Sequence, residues 1–83
     1  MEQIAPDSPL SPYVSMDPER MSGAPVFKGT RVPIKSLFDH LAAGDSLDLF
    51  LDDFEGVGRE QAQAVIELAA QGMLDRLNGL RAA

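Results

Sequence analysis

Apolar positions recur at helical spacing through the second half of the chain and at strand-like spacing in two short stretches of the first. Ile34, Leu37, Phe38, Leu41 and Ala42 fall at i, i+3, i+4, i+7 and i+8, the stripe of an amphipathic helix. Gly44 comes next as the residue that ends it. Asp45-Ser46 supplies a cap for a second helix, with Leu47, Phe50, Leu51 and Phe54 on one face. Glu55-Gly56-Val57-Gly58 reads as a turn. A third helix starts at about Arg59, with Ala62, Val65, Ile66, Ala69, Ala70, Met73, Leu74, Leu77 and Leu80 as its apolar positions. Gly72 lies within this run and costs ~1 kcal/mol relative to Ala if the helix continues through it. The pattern fits one long helix or a short tail helix after a break.

Before Ile34 the pattern is different. Tyr13-Val14-Ser15-Met16 and Val26-Phe27 are β-prone and bounded by Pro12, Asp17-Pro18, Pro25 and Lys28-Gly29-Thr30, which predicts two small strands side by side. Pro33 has no N–H to give a ladder, so the extended segment lies at an edge or ends there. Asp17-Pro18-Glu19-Arg20 has the form of one helical turn, Asp17 capping and Pro18 first. Residues 1–12, with Pro6, Pro9 and Pro12, read as a loose arm. The expected fold is mainly α: a small N-terminal β element followed by three helices in a helix-turn-helix arrangement. The chain divides into an arm at 1–12, the domain at 13–72 and a helical tail at 73–83.

Length and composition narrow the function. An 83-residue chain holds one small domain, and with no cysteine it has neither a disulfide nor a thiolate zinc site to support it. Association with another chain, a homodimer first, is the remaining source of buried surface. No apolar run is long enough to span a membrane and no secretory pattern opens the chain, so a cytoplasmic protein is expected. The net charge of −6 is uneven. Residues 1–35 are neutral, and all their positive charge lies in Arg20, Lys28, Arg31 and Lys35; residues 36–83 carry the whole deficit. The sequence thus places a local basic patch on an acidic body.

Enzyme chemistry finds no foothold. Lys28-Gly29-Thr30 has the wrong order for a phosphate-binding loop, and the residues after it are strand-like rather than helical. His40, the one histidine, falls off the apolar stripe and has no nucleophile motif to serve, so a partly exposed surface residue is expected. Asp45, Asp48, Asp52, Asp53 and Glu55 lack the spacing of a calcium loop and read as a solvated face. No cofactor is implied. The basic residues have two readings: Lys28, Arg31, Lys35 and Arg20 contact phosphates or base edges from a β ribbon, or Arg31 is tied to a carboxylate or helix end. Arg59, Gln61 and Gln63, at the start of the third helix, are candidates for reading bases, although acids and arginines balance along that helix. The tail, with Met73, Leu74, Leu77 and Leu80 as apolar anchors beside Arg76 and Arg81, either extends the third helix over the core or docks on a partner.

The junction Ser22-Gly23-Ala24-Pro25-Val26-Phe27-Lys28-Gly29-Thr30-Arg31-Val32-Pro33-Ile34 resembles the signature of the domain-of-unknown-function 433 family, described as predicted antitoxin components of toxin–antitoxin systems. Gly23, Pro25, Val26, Phe27, Gly29, Thr30, Arg31, Val32 and Pro33 stand at the signature places, and Ser22 replaces a usual Gly. Ala42-Ala43-Gly44 and Asp53-Phe54 match later features, whereas Glu55 replaces a Pro and Gly58 a usual Thr. The resemblance implies a homeodomain-like helix-turn-helix protein, a homodimer, a toxin partner resembling the PIN-domain ribonucleases, and binding to its own promoter. On that basis the tail docks on the toxin, with Arg76 or Arg81 entering the toxin's acidic site. A stand-alone dimeric DNA-binding regulator is the other reading the resemblance leaves open.

Overall fold

The computed structural model describes residues 7–19 and 23–82. Two short antiparallel strands, β1 (Val14–Ser15) and β2 (Val26–Phe27), precede three helices, α1 (Ile34–Ala42), α2 (Leu47–Asp53) and α3 (Arg59–Ala82). The mainly helical class and the small leading sheet are as the apolar pattern predicts. Val14 pairs with Phe27 and Ser15 with Val26. A further bridge joins Val26 to Pro33, flanked by Phe27 N–H to Val32 O at 2.9 Å and Ile34 N–H to Pro25 O at 3.0 Å. At that pairing position the hydrogen bonds come from the neighbours, so the nitrogen Pro33 cannot offer is not needed.

The turn between β2 and Pro33 is held by its own residues. Thr30 N–H bonds Phe27 O at 2.9 Å, and Gly29 has φ 80°, the left-handed value that a type II turn demands at its third position. Thr30 Oγ1 donates to Phe27 O at 2.8 Å and accepts from Val32 N–H at 3.0 Å. The Gly29-Thr30 pair is thus a turn device, leaving Lys28 and Arg31 exposed on either side.

The helices begin and end as their sequences direct. At the end of α1, Gly44 N–H bonds Leu41 O at 3.0 Å and Asp45 N–H bonds His40 O at 3.0 Å, with Gly44 at φ 90°. This is the paired closure that a left-handed glycine allows. Ser46 caps α2 by accepting Leu49 N–H at 3.1 Å, worth about 1 kcal/mol. α3 runs through Gly72 without a break, which resolves the two alternatives for the tail: it is the second half of one helix.

The core lies where the ribbon, α1, α2 and the first half of α3 meet. Phe27, Leu37 and Phe50 are fully buried, joined by Val14, Val57, Ala62 and Val65. Phe27 and Phe50 rings stand 6.0 Å apart, and Phe50 and Phe54 4.9 Å. His40 is partly exposed, as expected, but it is also engaged by α2. Its ring meets Phe50 edge-on at 5.5 Å and Phe54 at 5.7 Å, and its Nδ1 lies 3.0 Å from Asp45 Oδ2. α2 folds back beside α1 and covers a face that the α1 stripe alone leaves bare.

Residues 7–12 fall in the stretch read as a loose arm. Here they form turns, with Ser11 N–H on Ser8 O at 3.0 Å and Tyr13 N–H on Leu10 O at 2.9 Å, and Leu10 packs against the core. Asp17 Oδ1 accepts Glu19 N–H at 2.9 Å, the cap expected before Pro18. The remainder of that single turn, from Arg20 on, lies outside the described residues.

Candidate functional site

Two surfaces carry the candidate residues: the ribbon with the start of α3, and the far half of α3. At the first, the ladder end is imperfect. Lys28 N–H bonds Tyr13 O at 2.8 Å, but Tyr13 N–H is turned to Leu10, so Lys28 O lacks its reciprocal partner. Gln61 fills the gap. Its Nε2 donates to Lys28 O at 3.0 Å and to Tyr13 O at 3.1 Å, while its Oε1 accepts Gly58 N–H at 3.4 Å. One side chain therefore closes the ribbon, ties it to α3 and caps the helix start at Gly58, where a hydroxyl is missing. The sequence offers Gln61 for reading bases; in the structure its amide is committed inside the protein. The signal for this role is its position three residues after the capping Gly58, where Gln or Glu reaches back to the helix start.

The described basic residues differ in what holds them. Lys28 is exposed and its Nζ donates to Ser11 O at 3.0 Å. Arg31 is exposed and makes no hydrogen bond or ion pair with a described residue, so of its two readings the tie to a carboxylate or helix end is not the one found. Lys35 grips both carboxylate oxygens of Asp39, at 2.9 and 2.8 Å, one turn further along α1. Arg59 pairs with Asp48 of α2. Gln63 is exposed on α3. Arg20 lies outside the described residues. Two cations, Lys28 and Arg31, are thus displayed by the turn, while the charges of Lys35 and Arg59 are answered locally by acids.

The second surface is apolar. Every residue from Ala69 to Leu80 is exposed. Met73 (61%), Leu74 (51%), Leu77 (48%) and Leu80 (70%) are four of the five large hydrophobic residues that lie open among the described residues, the fifth being Leu49 on α2. Arg76 is exposed beside them; the side chain of Arg81 lies outside the described residues. Ala62, Ile66, Ala69, Met73, Leu77 and Leu80 succeed one another at three- and four-residue steps, so they form a single line along the helix. Ala62 and Ile66 are covered by the body of the protein, and from Ala69 on the line is bare. Beside the covered end opens a groove of about 330 Å³, walled by Val14, Pro25, Ile34, Phe38, Leu68 and Ala69 among others.

Residues 14–69 match the model of the family described as Protein of unknown function (DUF433). The chain belongs to DUF433. The matched stretch runs from β1 to the last groove residue of α3, so the ribbon, its turn and the three-helix body are the family's part. The bare line from Met73 to Leu80 lies beyond the match. No curated protein and no solved structure matches the chain. Among the described residues no helix is long and apolar enough to cross a membrane.

Proposed function

We propose that this DUF433 protein is a small non-catalytic binding protein of the antitoxin type, whose α3 projects a docking helix for a partner protein. The observation that carries the reading is the far half of α3. Large apolar side chains left open at helical spacing on a projecting helix fit the mode in which one amphipathic helix is laid into a groove of another protein. A toxin resembling the PIN-domain ribonucleases is the partner the family resemblance suggests, with Arg76 or Arg81 directed at its carboxylates. A homodimer suits a body this small.

Promoter binding is the secondary activity of this reading, and the turn is its support. Lys28 and Arg31 flank a turn fixed by Gly29 and Thr30, and Gln61 fixes the ribbon to α3, so two cations are held at a set position on the body. Arg59 and Gln61 offer less, since one is paired and the other committed. The same exposed Arg31 favours the alternative, a dimeric DNA-binding regulator with no toxin.

Purification from the native cells, with the chain as bait, separates the two. A nuclease of the expected kind is recovered in stoichiometric amount if the antitoxin reading holds, and deleting residues 73–83 releases it while the circular dichroism of the body persists. Recovery of no nuclease, or of one indifferent to the deletion, overturns the docking role of α3. For DNA, Lys28→Ala and Arg31→Ala each weaken binding and flatten its salt dependence by about one unit of slope; slopes unchanged in both remove the turn from any DNA contact.

A further inference from the structure

We propose that in the free protein the bare line of α3 is covered by the same line of a second copy, the two helices running antiparallel and crossing near Met73. Counted from Met73, the line holds Ala69 and Leu77 at four residues on either side, and Ile66 and Leu80 at seven. An isologous contact requires a surface that is complementary to itself about a two-fold axis. Here an axis through Met73 sets Leu77 of each copy against Ala69 of the other, large against small, and Leu80 against the part of the half-buried Ile66 that the body leaves open. Each copy's Leu77 and Leu80 then arrive at the mouth of the other's groove, where Ala69 forms part of the wall. One symmetric contact closes both vacant surfaces of both copies.

Area and charge point to the same occupant. Met73, Leu74, Leu77 and Leu80 leave open roughly 400 Å² in each copy, a patch of the size that marks an interaction site. Two such patches with the groove rims reach on the order of 1,000 Å² in total, the lower bound for a specific interface. Along α3 the acids Glu60, Glu67 and Asp75 are matched by Arg59, Arg76 and Arg81. Two copies of this helix therefore meet without net repulsion, although the chain as a whole carries −6; the acidic α2 supplies much of that excess. The dimer does not require the antitoxin reading. If a partner docks on the same line, it does so by displacing the second copy, so partner complex and free dimer exclude one another.

The test uses the full chain. Sedimentation equilibrium is expected to give twice the 8.9 kDa chain mass at micromolar concentration. Leu77→Glu is expected to halve that mass with helical circular dichroism retained, while Leu49→Glu, an equally open leucine on α2, leaves it unchanged. The chain contains no cysteine, so Met73→Cys places one thiol per copy beside the axis. Mild oxidation is expected to link Met73→Cys into a covalent dimer at least tenfold faster than Leu80→Cys, whose two thiols lie at opposite ends of the contact. A monomeric wild type, a Leu77→Glu variant that stays dimeric, or equal cross-linking at both positions overturns the proposal. A dimer that recovers no nuclease from cells refutes the antitoxin reading and leaves this one standing; a monomer that recovers one does the reverse.

Discussion

Replacing Gln61 separates a structural tie from a nucleic-acid contact. Gln61→Ala removes two donors, to Tyr13 O and Lys28 O, and the acceptor for Gly58 N–H. The Tyr13 contact is partly shielded and the Lys28 contact is exposed, so water regains part of the second. At about 1 kcal/mol for the shielded bond and about half that for each of the others, the loss is roughly 2 kcal/mol. For a chain of this size each kcal/mol moves the thermal midpoint by about 4–8 °C, so a fall of roughly 8–16 °C is expected. Urea titration followed by far-ultraviolet circular dichroism gives the free energy directly. Gln61→Glu distinguishes the parts: it keeps an acceptor for Gly58 N–H and suits a helix start, but has no hydrogen to give the ribbon. If the ribbon tie dominates, the Glu variant is nearly as unstable as the Ala variant. Wild-type stability in Gln61→Glu, or a loss under about 0.5 kcal/mol in Gln61→Ala, refutes the reasoning and frees the side chain for another role.

Three further substitutions test the fold. Gly44→Ala forces a side chain into φ 90° and is expected to lower stability by about 1–2 kcal/mol, measured by the same titration. Gly72→Ala, where an added Cβ meets nothing within 4 Å, is expected to raise helicity and stability by up to about 1 kcal/mol; a loss there would mean the glycine answers to a contact with another molecule. Phe50→Ala removes a fully buried ring that touches Phe27, Phe54 and His40 and costs about 3–5 kcal/mol, enough to leave so small a domain largely unfolded by near-ultraviolet circular dichroism.

The helices are legible in the sequence because each carries its own punctuation. Gly44 and Ser46 stand where α1 closes and α2 opens, and Leu37, Phe50, Ala62 and Val65 sit on the stripes that the spacing defines. The strands are legible from Val14 and Val26-Phe27, and Pro33 marks an edge. Contacts between elements distant in the chain escape such a reading. Gln61 reaches back 48 residues to Tyr13, and nothing in its local pattern announces that Tyr13 N–H will turn to Leu10 and leave a carbonyl open. The ring contacts of His40 escape for the same reason: its neighbours on α1 say nothing of Phe50 and Phe54 arriving from α2. The pairing of Arg59 with Asp48 likewise depends on how α2 crosses α3, which periodicity does not encode. The continuity of α3 through Gly72 is open in the sequence, since a cost of ~1 kcal/mol is readily outweighed by the good helix formers on either side.

The two candidate surfaces differ in how they are joined to the body, and this sets what each can do. The turn carrying Lys28 and Arg31 is anchored by Thr30 within itself and by Gln61 to α3, so displacing it breaks hydrogen bonds that also hold the core elements together. The line from Met73 to Leu80 is held by the helix alone, with Ala69–Leu80 open to solvent throughout. Changes at the turn therefore disturb stability and binding together. Changes on the far half of α3 are free to alter association without unfolding the body, because no core side chain rests on it. A surface of that second kind can exchange one partner for another at little structural cost, which is what the proposed alternation between a second copy and a foreign partner requires.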